Sequence, residues 1–157
     1  MEYEKLTSDN ADNYIKYLKT AMEEEPKMML AESVDEKLIK ERLKDSFFMN
    51  TKSILAIDDG NVVGRIEYHF YGCLQDGYRI AYVNWVYVLP KYRHKKIAQG
   101  LFKELENDCK DNNIYEYYLI RAENHEADSF YHSFENARLY ESPMLSKELN
   151  RISGGII

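Results

Sequence analysis

The sequence predicts a mixed α/β fold: a mostly antiparallel central sheet with helices on both faces and one parallel β-α-β crossover. Three observations predict it. Two helix-like stretches precede Ser53, and three strand-like runs joined by short turns follow it. After Pro90 the hydrophobic period changes from about 2 to about 3.6 for the length of one helix. A further strand-like run comes next, so residues Tyr78 to Ala122 read as a right-handed crossover between parallel strands. At 157 residues the chain can bury its own core, and it reads as one domain over 1–157.

Residues 3–7 read as a short strand. Asn10 or Asp12 caps the helix that follows, on which Tyr14, Leu18, Ala21 and Met22 share a face. Pro26 interrupts it. In "SVDEKLIKERLKD" Ser33 caps a second helix and Glu36 completes a capping box. Phe47 and Phe48 read as core. "SILAI" from Ser53 is a strand, and Gly60 supplies the positive φ of the hairpin turn over 58–61. "VVGRIEYHFY" is the next strand and "GCLQDG" a looser turn. "YRIAYVNWVYV" is a long third strand whose β-branched and aromatic content suits burial on both faces in mid-sheet.

Beyond Pro90, Ile97 or Ala98, Leu101, Phe102, Leu105 and Cys109 line one helical stripe, which Asn112 and Asn113 end. "YEYYLIRA" is a strand. "NHEADSFYHSFEN" is a helix capped by Asn124, and "MLSKEL" from Met144 is a last short strand.

The formal net charge of -6 argues against nucleic-acid binding as the main task. No run approaches the ~18 apolar residues of a membrane span. "MEYEKLTSDN" lacks the basic start and apolar core of a secretory signal. Cys73 and Cys109 form no metal-type pair, and a reducing cytoplasm is the expected setting. No metal is expected: His125 and His132 lie seven apart, without further ligands at zinc spacing.

Against this acidic background, four of the residues from Lys91 to Lys96 are Lys or Arg: Lys91, Arg93, Lys95 and Lys96. They follow the end of a central strand and precede a helix. Helix starts carry unpaired amides and partial positive charge. Open α/β sheets bind ligands beyond the carboxyl ends of their strands. Charge, amides and topology all point to an anion such as a phosphate; a solvated basic loop is the alternative. A P-loop is excluded because "GxxxxGK[ST]" is absent, and no glycine between Gly77 and Gly100 permits a dinucleotide fingerprint.

The stretch resembles the hallmark of the GNAT superfamily of acyl-CoA-dependent N-acyltransferases. There a strand ends in V-x-P, and Q/R-x-x-G-x-G/A opens a helix. Here the residues are Val88-Leu89-Pro90, then Arg93-His94-Lys95-Lys96-Ile97-Ala98. The likeness extends over most of the chain, including "N-x-x-A-x-x-F-Y" at Asn124, Ala127, Phe130 and Tyr131. It implies a GNAT-like fold and acetyl-CoA as co-substrate, with the acetyl group passing directly to a primary amine of a small molecule or peptide. Val86, Tyr87 and Val88 would form the strand beside the pantetheine arm, Val86 and Val88 offering backbone groups. The amides of Arg93, His94, Lys95, Lys96, Ile97 and Ala98 would hold the pyrophosphate. Asn124 would contact the pantetheine, Phe130 would pack along it, and Tyr131 would protonate the leaving thiolate.

Lys96 stands where the family has its first motif glycine. It crowds the turn or adds charge, and the two accounts predict opposite effects of Lys96→Gly on cofactor affinity. Glu67 and His69 share a strand face and are placed to act as general base, directly or through water; a wet sheet face is the other reading. Asn84 is placed to orient a water. Glu23, Glu24, Glu25 and Glu32 either steer a cationic amine or solvate a helix end. A monomer or homodimer without membrane or nucleic-acid partners is expected. The rival to an enzyme is a non-catalytic, regulatory CoA-binding module.

Overall fold

The computed structural model describes residues 1–29, 31–122, 124–141 and 143–147. Contacts divide the chain into two compact units, Met1–Leu119 and Ile120–Ile157.

The first unit is built on five strands in the order β1-β2-β3-β4-β5: Glu2–Lys5, Thr51–Asp58, Asn61–Gly72, Arg79–Val88 and Glu116–Leu119. The first three pairings are antiparallel and β4 with β5 is parallel. Helix α1 (Ala11–Glu24), helix α2 (Glu36–Arg42) and helix α3 (Ile97–Asp111) belong to the same unit. This is the predicted fold class, with α3 forming the crossover between β4 and β5.

Strand alternation assigns the two faces. Leu55 and Ile57 of β2 share a buried cluster with Tyr14, Tyr17 and Ala21 of α1. Their neighbours Ile54 and Ala56 point to the α3 side, where Ile97, Leu101, Phe102 and Leu105 are buried. The helical stripe read from the sequence is the buried stripe, with one addition: Asp108 is buried too. Leu101 and Leu105 are fully buried, so truncating Leu105 to Ala costs about 2–5 kcal/mol.

Turn chemistry behaves as read between β2 and β3. Asp59 and Gly60 both take positive φ (48° and 72°), the conformation of a tight two-residue hairpin. Several local readings need correction. Asn10 stands at the start of α1 but makes no cap bond; its side chain accepts from Thr7 N–H at 2.9 Å and donates to Lys5 O at 3.0 Å. The cap of α2 is Asp35, not Ser33. Asp35 Oδ1 accepts from Leu38 N–H at 3.0 Å, three residues on, so the first turn begins two residues later than the Ser33–Glu36 spacing suggested. Phe47 is 81% exposed, because the short turn Ser46–Phe48 directs only Phe48 inward. β4 is paired on both sides yet not buried throughout, since Asn84 is exposed. Residues 143–147 form no strand, and Met144 and Leu145 are exposed: β-propensity without a ladder partner does not make a strand. Glu148 and Leu149 of that reading lie outside the described residues.

The second unit contains helix α4 (His125–His132). Asn124 caps it as expected, its Oδ1 accepting from Ala127 N–H at 2.9 Å. Phe130, Tyr131 and Phe134 pack as an aromatic trio with ring centroids 5.1 to 5.8 Å apart.

Candidate active site

Two features at the end of β4 build the candidate site. The first is an opened strand edge. The pairing of β4 with β5 stops at Val83↔Leu119. One residue later comes a bulge: Glu67 opposes Trp85 while Tyr68 opposes Val83, so Asn84 is the extra residue. In an antiparallel ladder alternate residues face the partner strand. Leu89 N–H bonds Val63 O at 2.9 Å, so Leu89, Tyr87 and Trp85 face β3. Val86 and Val88 therefore turn their backbone groups to the side where β5 no longer pairs. Val88 O accepts from Arg93 Nε at 3.1 Å. This leaves Val86 and the Val88 N–H as an edge able to take an extended ligand as a sixth strand would be taken.

The second feature is the loop that follows. Pro90–Tyr92 make one 3-10 turn, and Arg93 is extended. His94 and Lys96 then adopt positive φ, 60° and 61°. Such residues cost roughly 1–2 kcal/mol each in the left-handed region. Left-handed residues in such turns are the backbone from which anion-binding nests are made. Lys96 is the N-cap of α3 and supplies no side-chain cap bond. The first bond of the helix is Gly100 N–H to Lys96 O at 3.1 Å, leaving the amides of the preceding turn outside the helical ladder. His94, Lys95 and Lys96 are exposed. The Nζ atoms of Lys91 and Lys95 each lie 5.0 Å from the Tyr92 ring centre. The arrangement fits a diphosphate on the amides and a linear arm along β4.

Arg93 is used differently. Its Nη1 donates to Glu25 Oε1 at 3.1 Å and its Nη2 to Glu25 Oε2, while the guanidinium lies 5.4 Å from the Tyr87 ring centre. Tyr87 O–H also donates to Glu25 Oε2, at 2.8 Å. The Arg93 bonds, helped by Tyr87 and opposed by burial, hold the Glu25 carboxyl below the usual carboxylate range. Glu25 is thus the partner of the basic loop, while Glu23, Glu24 and Glu32 are exposed.

On the α1 face, beside the bulge, the structure brings Glu67 and Asn84 together. Asn84 Nδ2 donates to Glu67 Oε1 at 2.8 Å. Arg65 Nη1 donates to Glu67 Oε2 at 3.0 Å and also to Tyr14 Oη. Burial disfavours the charge on Arg65, but Tyr14 and Glu67 outweigh it and raise its pKa. Ser53 Oγ stands 3.5 Å from Glu67 Oε2. His69 Nδ1 lies 3.3 Å from Thr51 Oγ, on the same face. Arg65 escaped sequence reasoning, Tyr14 was read only as part of the α1 face, and Glu25 was read as steering an amine or solvating a helix end rather than as the partner of Arg93. For Arg65 a signal existed, an arginine inside an apolar strand between Gly64 and Ile66.

In the second unit, partial burial pushes the Tyr131 phenol up to about 12, so it stays protonated at neutral pH. Asn124 uses its side-chain oxygen as the helix cap. Among the described residues no three His, Cys, Asp or Glu side chains gather as a metal site. Among the same residues no helix is long and apolar enough to cross a membrane.

A family model described as the acetyltransferase (GNAT) family matches residues 13–135. No curated protein sequence matches the chain. Among solved structures, a possible acetyltransferase from Clostridium difficile 630 is 27% identical, covering 96% of this chain and 98% of its own, at a TM-score of 0.72. A ribosomal-protein-alanine N-acetyltransferase from Brucella melitensis biovar Abortus 2308 is 18% identical, covering 94% and 100%, at 0.72. An aminoglycoside acetyltransferase from an uncultured soil metagenomic sample is 14% identical, covering 95% and 96%, at 0.79.

Proposed function

The chain belongs to the GNAT acetyltransferase family, and from that premise we propose that it transfers an acetyl group directly from acetyl-CoA to a primary amine of a small molecule or peptide. On this reading residues 1–157 work as one domain, in the cytoplasm, as a monomer or homodimer. The observation that carries it is the open edge of β4 beyond Val83 running into a loop in which His94 and Lys96 take positive φ before α3 begins. Acetyl-CoA, when bound, supplies an activated acyl group and a thiol leaving group.

The chain's own residues do the rest. Val86 and Val88 align the pantetheine arm, with Tyr87 between them facing β3. The amides from Arg93 to Ala98 hold the diphosphate, and the exposed Lys95 and Lys96 add charge beside it. As the family resemblance implies, Asn124 contacts the pantetheine and Phe130 packs along it. Tyr131, protonated at neutral pH, donates to the departing sulfur. Glu67 accepts a hydrogen bond at each oxygen, so it serves best as a fixed anion that draws the amine and, with Asn84, holds a water through which the amine's proton passes to bulk solvent.

Two measurements test the reading. Calorimetry with CoA is expected to register one site per chain; no heat removes the proposal. Release of free thiol from acetyl-CoA is then followed across amines. CoA binding with no thiol release from any amine replaces the enzyme by a CoA-binding module. Tyr131→Phe is expected to lower turnover more than tenfold while CoA affinity holds; an equal loss of both makes Tyr131 a packing residue.

A further inference from the structure

The proposed cofactor site depends on a loop whose shape must exist before the ligand arrives. Two of its residues sit at positive φ without being glycine, so the loop does not hold itself. Something must restrain it. Arg93, at the start of the strained segment, is bonded at three points: Val88 O behind it and both oxygens of Glu25 in front. Glu25 is itself fixed. It is the residue that ends α1, its N–H bonded to Ala21 O at 2.9 Å, and Pro26 follows it. Tyr87 braces the same carboxylate from β4. Tyr17 of α1 in turn donates its O–H to Tyr87 O at 3.0 Å. The end of α1, the end of β4 and the loop are thereby tied at one point.

Resting on the reading of a CoA site, we propose that Glu25 is a positioning residue for the cofactor: it holds Arg93 as a strut that fixes the phosphate loop, so that Arg93 contributes its backbone and not its guanidinium to the diphosphate. The geometry supports the strut. A two-pronged guanidinium–carboxylate pair is directional as well as charged. The ring of Tyr87 lies against the guanidinium. Swinging Arg93 to a phosphate would leave Glu25 with Tyr87 alone and free Val88 O at the strand end.

The test is a double-mutant cycle read by calorimetry with CoA. Glu25→Gln and Arg93→Lys each break the fork and keep a polar side chain. Each is expected to weaken CoA binding about tenfold (about 1.4 kcal/mol), and the double variant no more than either single one, because both remove the same strut. The KM for acetyl-CoA rises with them while kcat at saturating acetyl-CoA holds. A merely structural residue would instead lower the melting temperature and the active fraction, with KM unmoved. Three results overturn the proposal: tighter CoA binding by Glu25→Gln, unchanged binding by Glu25→Gln alongside a loss in Arg93→Lys, or losses that add. The first two make Arg93 a phosphate ligand that Glu25 restrains or ignores. Absence of heat with the unaltered protein sinks the CoA reading itself, which is a separate outcome.

Discussion

Two buried ions sit on opposite faces of the same sheet, and they are built with opposite signs. On the α3 face the buried ion is an anion. Asp108, 5% exposed, accepts from Lys5 at 2.6 Å, Lys52 at 3.0 Å and Tyr68 at 2.8 Å. Its cations reach water, Lys5 with 66% and Lys52 with 32% of the side chain exposed. On the α1 face the buried ion is a cation. Arg65 is 11% exposed, its partner Glu67 is 19% exposed, and its Nε is the buried side-chain polar atom without a partner among the described residues. The lesson concerns what is left when a partner goes. The lysines around Asp108 can retreat to solvent; Arg65 cannot. The first cluster fastens β1, β2 and α3 together. The second ends at the bulge residue Asn84, beside the opened edge of β4, so its incomplete satisfaction coincides with the candidate site.

The largest effect is expected where a charge is stranded. Glu67→Gln leaves Arg65 buried without a counter-ion and is expected to cost about 3 kcal/mol of stability, read from urea unfolding. Adding Arg65→Met removes the stranded charge. The double variant is then expected to regain much of that stability while thiol release stays low. If activity returns with stability, Glu67 has no part in the reaction and the two clusters differ only in sign.

Asp108→Asn comes next. It removes the anion but strands nothing, so the cost is that of its charged hydrogen bonds, about 2 kcal/mol. Turnover per folded molecule is expected to stay as in the unaltered protein. A loss above about 3 kcal/mol would mean that the lysines do not relax into water.

The same cluster sets an acid response. Burial alone would raise the Asp108 pKa, but Lys5, Tyr68 and Lys52 override it and hold the carboxyl below its usual value. A depressed folded pKa means the contribution is present in full above the unfolded value, near about 4. It is lost as pH falls through the folded value. The stability difference between the unaltered protein and Asp108→Asn is therefore expected to be flat at neutral pH and to close in acid. A difference that grows in acid would reverse the assignment.

What the sequence made legible follows from range. The five strands up to Leu119, the hairpin at Gly60, the α3 stripe and the strand-end loop are local patterns of period and turn chemistry, and they stood close to where read; the strand expected from Met144 did not form, having no ladder partner among the described residues. The buried ions are not local. Arg65 meets Tyr14 across 51 residues, and Arg93 meets Glu25 across 68. No periodicity encodes such a pairing. Asp108 had a faint mark, since it lies beside Cys109 in the apolar stripe; its lysines lie on β1 and β2, beyond the reach of any helical period. The bulge at Asn84 was equally hidden, being a property of two strands in register. It turned a strand that reads as buried into one with an exposed polar residue at its centre.

The smallest effect belongs to Lys5. Its bond to Asp108 is short at 2.6 Å, and distance alone would rank it first in the cluster. Exposure ranks it last. A mostly solvated ammonium regains water when the pair breaks, and held in place it gives up side-chain entropy. Lys5→Met keeps the length of the side chain along the sheet and removes the charge. It is expected to change unfolding free energy by no more than about 0.5 kcal/mol, less still in high salt. Lys52→Met, with half the exposure and a bond of 3.0 Å, is expected to cost more. If Lys5→Met proves the costlier, proximity outranks burial here, and the contrast between a retreating cation and a trapped one fails on the face where it should hold best.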